Sequence, residues 1–144
     1  MSVDQGGRLA ERPAPNSPDA RRLDARYDRA TAELDPPLAL VDLGAFDRNA
    51  AAMTRRAAGH PIQVATKSLR CRYLIERALA MPGYRGVMCY SLPEALWLHA
   101  MGTSDDLLVA YPTVDRKALR ALAADGQARQ RITIMADSEA HLSA

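Results

Sequence analysis

The side chains able to do chemistry in this chain gather where short apolar runs end. The run 62–66 (IQVAT) leads into Lys67 and Ser68, and the run 86–90 (GVMCY) into Ser91. The run 107–111 (LLVAY) finishes on Tyr111, and the run 132–136 (ITIMA) is followed by Asp137. Lys67 is the most informative of these. The chain has 19 basic residues, and all but Lys67 and Lys117 are arginines. Arginine serves wherever a fixed positive charge is wanted, whereas only an amine can condense with a carbonyl to form a Schiff base. Apolar walls such as Val64 and Met88 would desolvate the Lys67 ammonium, lower its pKa and leave a nucleophilic amine. The plainer reading is a solvated lysine at a strand end.

Other positions have simpler explanations beside the chemical one. Arg70, three residues past the lysine, suits a phosphate or carboxylate, or is a solvated first-turn arginine. Ser91 opens Ser91-Leu92-Pro93-Glu94, a capping-box pattern that accounts for Ser91 and Glu94 without catalysis. Asp137 reads first as the cap of a helix starting at Ser138. His60 precedes a proline in a turn, and His99 and His141 fall on helices. His99 reads as a helix-surface residue, and none of the three shares a ligand spacing with another metal-binding side chain. Cys71 and Cys89 lie outside any CxxC spacing and read as small buried apolar residues.

The elements that must position these residues repeat regularly. The four apolar runs start 24, 21 and 25 residues apart, with a helical pattern in each gap. The first gap carries Cys71, Leu74, Ile75, Ala78 and Leu79 on one face before Met81-Pro82-Gly83 stops it. The second closes at Gly102. The third carries Ala118, Leu119, Leu122 and Ala123 and closes near Gly126. Strands alternating with helices at this period indicate βαβ units with parallel strands, so the fold class is α/β. No G-x-G-x-x-G or G-x-x-x-x-G-K-[ST] turn follows any strand, which argues against a nucleotide-binding doubly wound sheet. A (β/α)8 barrel fits better, because its active site collects at the C-terminal ends of its strands. Four strands make about half of one, so the sequence reads as the N-terminal part of a larger protein, a partial barrel.

Upstream, residues 1–18 are rich in Gly, Pro, Ser and charge and read as a disordered leader. Residues 19–35 read as a charged helix with Leu23, Tyr27, Ala30 and Leu34 on one stripe, stopped by Asp35-Pro36-Pro37. Then comes an apolar run, 38–42 (LALVD). Asp42 caps a helix whose inner face is Leu43, Phe46, Ala50, Met53 and Ala57, ended by Gly59.

Composition excludes several classes. A net charge of +2 and 5% aromatic residues give no nucleic-acid footprint. No apolar run approaches the roughly 20 residues that span a bilayer. The first 22 residues match neither a signal nor a transit peptide, and the two cysteines suit a reducing compartment, which points to the cytoplasm.

Taken in order, PLALVDLGAFDRNAAAM, IQVATKS, GVMCYSLPEALWLHAMG, LLVAYPTVD and ITIMADSEAHL resemble the N-terminal barrel half of the alanine-racemase-like, fold-type III pyridoxal 5'-phosphate (PLP) enzymes. The likeness spans about residues 36–144 and is nearest to the amino acid deaminase/aldolase group, relatives of D-threonine aldolase and D-serine dehydratase. It implies a short strand ending Val41-Asp42-Leu43, and PLP held on Lys67 as an internal aldimine. Lys67 would then act as base at the substrate α-carbon, with Arg70, Ser91 and Tyr111 at cofactor-binding positions. The implied substrate is a small D-hydroxy amino acid, and the implied assembly of the complete protein is a homodimer.

The match has departures. Cys71 stands where alanine racemases carry a phosphate-binding tyrosine. Lys67-Ser68-Leu69-Arg70 replaces the K-T-H-K of the aldolase branch. The first counts against racemase activity, which stays as an alternative beside a PLP-binding protein without turnover, and the second leaves the exact branch open. The phosphate turn and second domain of the family would lie past residue 144, so this length would lack a complete active site.

Overall fold

The computed structural model of the chain describes residues 13–142. They divide between Arg56 and Ala57 into two compact units. The leader expected over residues 1–18 falls, up to residue 12, outside the described residues.

The N-terminal unit holds two helices, α1 (Pro18–Thr31) and the greater part of α2 (Leu43–Ala57). Ser17 caps α1 by accepting the Ala20 N–H at 3.1 Å, and Pro18 occupies the first helical position, where its missing N–H costs nothing. The helix stops at Thr31, short of the Pro36-Pro37 pair, with the Thr31 hydroxyl donating to the Tyr27 carbonyl at 2.9 Å. Leu34 is therefore outside the helix and exposed, and the expected stripe reduces to half-buried Leu23 and Tyr27.

Residues 38–42 form no strand. Leu38, Leu40 and Val41 are exposed, and among the described residues this run pairs with no strand. Apolar content alone does not make a strand when its backbone groups have no partner. Asp42 does cap α2, accepting the Ala45 N–H at 2.8 Å. Its other oxygen takes the Tyr27 hydroxyl at 3.2 Å and the Arg26 guanidinium at 3.0 Å, tying α1 to the start of α2. Ala50 and Ala52 are the buried residues of α2, whereas Met53 is exposed, a shift of one position from the expected face.

The second unit is built on four strands: β1 (Ile62–Ala65), β2 (Tyr84–Cys89), β3 (Leu107–Val109) and β4 (Ile132–Ile134). All pair in parallel, in the order β1-β2-β3-β4. Between them run α3 (Arg72–Leu79), α4 (Leu92–Ala100), α5 (Arg116–Ala124) and α6 (Gly126–Arg131), and α7 (Glu139–Leu142) follows β4. β3 and β4 are three residues each, shorter than the apolar runs that announce them. Gly126 does not end a helix but begins α6, because Asp125 accepts the Gln127 and Ala128 N–H groups, both at 2.9 Å, and restarts the chain.

Sequential order has a consequence for where the helices lie. Parallel crossovers are right-handed, so four strands laid down in one direction put every connecting helix on the same face. Burial along the strands follows. Val64, Val87, Cys89, Leu107, Val109 and Ile132 are buried, while alternate residues such as Gln63, Met88 and Thr133 are exposed. Leu74, Ile75 and Ala78 of α3, Leu92, Ala95 and Leu98 of α4, and Ala118 and Leu122 of α5 complete the core. Each large aliphatic side chain buried this fully contributes about 1.5–3 kcal/mol.

One irregularity sets the alternation. Ile62 pairs with Tyr84 but Val64 with Val87, so β2 advances three residues while β1 advances two. The extra residue is accommodated at Gly86, whose φ of 79° lies in the left-handed region.

Candidate functional site

β1 ends at Ala65, and the chain then turns through Thr66, Lys67 and Ser68, with the Ser68 and Leu69 N–H groups both bonded to the Ala65 carbonyl. Thr66 keeps the inward parity of the strand and is 1% exposed, whereas its neighbour Lys67 is exposed in the turn. On β2 the same parity buries Cys89 and exposes Met88 and Tyr90. Tyr111 lies just past the end of β3 and is also exposed.

These strand ends converge. The Lys67 Nζ is 5.7 Å from the ring centroid of Tyr90 and 5.7 Å from that of Tyr111. The two rings meet edge to face, 5.4 Å apart at 67°. The Arg70 guanidinium carbon lies 5.5 Å from the Tyr90 centroid, so one phenol ring faces two cations. Among the described residues neither Lys67 nor Arg70 has a carboxylate within ion-pair distance. Two cations beside two aromatic rings have the chemistry to attract a planar anion.

Beneath the cluster runs a polar network. The Thr66 hydroxyl donates to Glu94 Oε2 at 2.6 Å and accepts the Tyr90 N–H at 3.2 Å. The Tyr90 N–H also reaches Glu94 Oε2, at 2.8 Å, and the Thr66 N–H donates to the Met88 carbonyl at 3.0 Å. Glu94 therefore does not complete the expected capping box onto Ser91. It reaches one residue further back and across to β1. Ser91 keeps its capping role, accepting the Glu94 N–H at 3.4 Å. Burial, aided by the Glu94 charge, pushes the Cys89 thiol up to about 12, so Cys89 is no nucleophile at neutral pH.

Of the residues singled out in the sequence, the structure brings together Lys67, Arg70 and Tyr111. It leaves Ser91 in its cap and Ser68 exposed in the turn. Lys67 is exposed, and Val64 faces the helices, so the apolar enclosure expected from Val64 and Met88 does not form. Cys71 is likewise exposed, as the N-cap residue of α3 rather than a core residue.

Asp137 does not cap α7, because Ser138 does so by accepting the His141 N–H. The Asp137 carboxylate instead meets His141 Nδ1 at 2.9 Å, while Nε2 of that ring lies 3.0 Å from the Thr113 carbonyl. His99 is not a surface residue. Its side chain is 9% exposed, with Nε2 3.6 Å from Asp125 and Nδ1 buried without a partner.

Tyr90 and the Thr66–Glu94 pair were not evident from residue type. The signal available for Tyr90 was its place at the end of an apolar run, one strand along from the strand-end lysine.

No protein-family model, curated protein or solved structure matches this chain. Among the described residues no helix is long and apolar enough to cross a membrane.

Proposed function

We propose that this chain supplies the first four βα units of a PLP-dependent, alanine-racemase-like barrel of the amino acid deaminase/aldolase group. On this reading it is a lyase portion acting on a small D-hydroxy amino acid, with Lys67 as the cofactor-bearing residue. The observation that carries the reading is the meeting of the Lys67 amine with the Tyr90 and Tyr111 rings at three consecutive strand ends. One-directional winding of a parallel sheet supports the barrel rather than a doubly wound alternative.

The residues present fit the cofactor. PLP is a planar aromatic aldehyde bearing a phosphate, and the cluster offers an accessible amine, two aromatic rings and an unpaired guanidinium. The Lys67 Nζ would hold the aldehyde of the cofactor, and its free amine would be a base able to take a proton from the substrate α-carbon. Tyr90 and Tyr111 shield one flank of the site and orient an aromatic plane. Arg70 holds a phosphate or a substrate carboxylate. Bound PLP supplies an electron sink for the bond broken at the α-carbon. A cytoplasmic location and a homodimer of the complete protein belong to the same reading.

A second reading, PLP binding without turnover, is favoured by the exposure of Lys67, since chemistry at the α-carbon gains from a site closed to water. Turnover of D-serine or D-threonine separates the two.

The deciding experiment on the cofactor is incubation with PLP, borohydride reduction and peptide mapping. The expected result is label on Lys67 well above Lys117, which is exposed on α5. Equal labelling of the two lysines would remove the proposal.

A further inference from the structure

We infer that Glu94 is a positioning residue for the strand-end site, holding Lys67 and Tyr90 in register through the buried Thr66 hydroxyl. One oxygen of its carboxylate accepts from both strands: the Thr66 hydroxyl on the β1 side at 2.6 Å and the Tyr90 N–H on the β2 side at 2.8 Å. Thr66 immediately precedes Lys67, and Tyr90 carries the ring that faces both Lys67 and Arg70.

Regular sheet pairing does not do this work. The β1–β2 ladder places Ala65 opposite Met88, and the last backbone bond between them runs from the Thr66 N–H to the Met88 carbonyl. Beyond it the two chains part, one into the turn 66–68 and the other into the cap of α4. Glu94, a first-turn residue of α4, bridges the gap where the ladder ends.

Three features argue that the bridge serves geometry rather than a helix cap alone. A capping box would return the carboxylate to the N–H of the cap residue Ser91, whereas here it reaches Tyr90. The Thr66 hydroxyl is buried and donates to Glu94 at a short, charge-assisted 2.6 Å, against 3.4 Å to the Met88 carbonyl, so losing the carboxylate leaves it only the longer, weaker acceptor. The same hydroxyl accepts from Tyr90, closing a three-membered hydrogen-bond network between β1, β2 and α4.

The inference rests on the Lys67 cluster being the working site, but its test needs no cofactor. With two lysines in the chain, lysine labelled with 13C at Cε gives two side-chain resonances. The Lys67 methylene, beside two tyrosine rings, is expected to be displaced from that of Lys117 by ring currents. Glu94→Ala should at least halve that displacement. Glu94→Gln, whose amide oxygen can still accept both hydrogen bonds, should retain it. Thr66→Val removes the hydroxyl at constant shape and should reduce the displacement even if Glu94→Ala fails to fold.

A folded Glu94→Ala or Thr66→Val protein with the Lys67 resonance unmoved overturns the inference, as does equal loss in the Gln and Ala variants. Failure of PLP to label Lys67 would leave these resonances, and the positioning role, untouched.

Discussion

Replacing Gly86 by alanine probes the feature of the sheet on which the site depends most. Gly86 has a φ of 79°, and a Cβ built there would lie 2.6 Å from Asp106 Oδ2 and 3.0 Å from the Asp106 backbone oxygen. The left-handed conformation costs an L-residue about 1–2 kcal/mol. The exposed Asp106 carboxylate can swing away, but its backbone oxygen cannot, since it accepts the Val87 N–H at 2.8 Å within the β2–β3 pairing. Crowding of that kind costs about 1–3 kcal/mol. Against both stands the lower entropy of the unfolded alanine chain, worth about 0.4–1 kcal/mol in favour of the variant. The net expectation is a loss of about 2–4 kcal/mol.

Urea unfolding measures it. With a slope of about 1–3 kcal/mol per molar urea, the midpoint should fall by roughly 0.7–4 M at unchanged slope. Adding Asp106→Ala to Gly86→Ala should restore part of the loss and not all of it, because the backbone contact remains. The site should respond too, since Gly86 accommodates the extra residue that puts Val87 and Cys89 inward and Met88 and Tyr90 outward. A variant that straightened β2 would exchange those faces and withdraw Tyr90 from Lys67. A Gly86→Ala protein within about 0.5 kcal/mol of the parent would refute this account of the bulge.

Two other predictions concern groups outside the cluster. At pH 8 a thiol reagent should modify exposed Cys71 rapidly and Cys89 only on unfolding, because burial holds the Cys89 thiol up at about 12; simultaneous reaction of both in folded protein would contradict the packing of β2 against the helices. The Ala45 N–H, the Tyr27 hydroxyl and Arg26 hold the Asp42 carboxyl below its usual range, so its contribution to stability is present above about pH 4 and is lost as pH falls through the depressed folded value. Asp42→Asn should therefore destabilise the protein at pH 7, with the difference from the parent shrinking in acid titrations followed by circular dichroism. A difference constant with pH would exclude the carboxylate as its source.

How much of this was legible in the sequence depends on the range of the interaction concerned. The parallel α/β class followed from the repeat of apolar runs and helical stripes, and all four strands lie within one or two residues of those runs. Local capping was legible as well, since Ser91 and Asp42 cap as their spacing suggests. What failed was decided by partners distant in the chain. Residues 38–42 are as apolar as β3, yet pair with no strand among the described residues, and an apolar run without a ladder is only a loop. Cys71 falls on the stripe of α3 by spacing but stands at its cap, where the helix has not yet turned inward. His99 has the periodicity of a surface position, but α6 begins where no helix was expected, and its cap Asp125 lies beside the imidazole. In the candidate site, the lysine stands out by its rarity in the sequence. Tyr90 does not, because which face it takes depends on the extra residue at Gly86. Nor does Glu94, whose capping-box spacing conceals the contact it actually makes.

The two lysines make the chemistry of this chain unusually easy to isolate. Lys67 and Lys117 share an intrinsic amine, an exposed setting and the same unfolded-state reactivity, so any difference between them in the folded protein comes from their neighbours. Lys117 sits in the first turn of α5, where its backbone N–H is bonded to the cap residue Asp115. Lys67 has two phenol rings within 5.7 Å and a guanidinium sharing one of them. Gly86, Thr66 and Glu94 all act on that environment from beneath, and no interaction described above joins them to Lys117. A perturbation that lowers the reactivity of Lys67 and spares Lys117 therefore reports on the convergence of strand ends. One that alters both reports on loss of the fold.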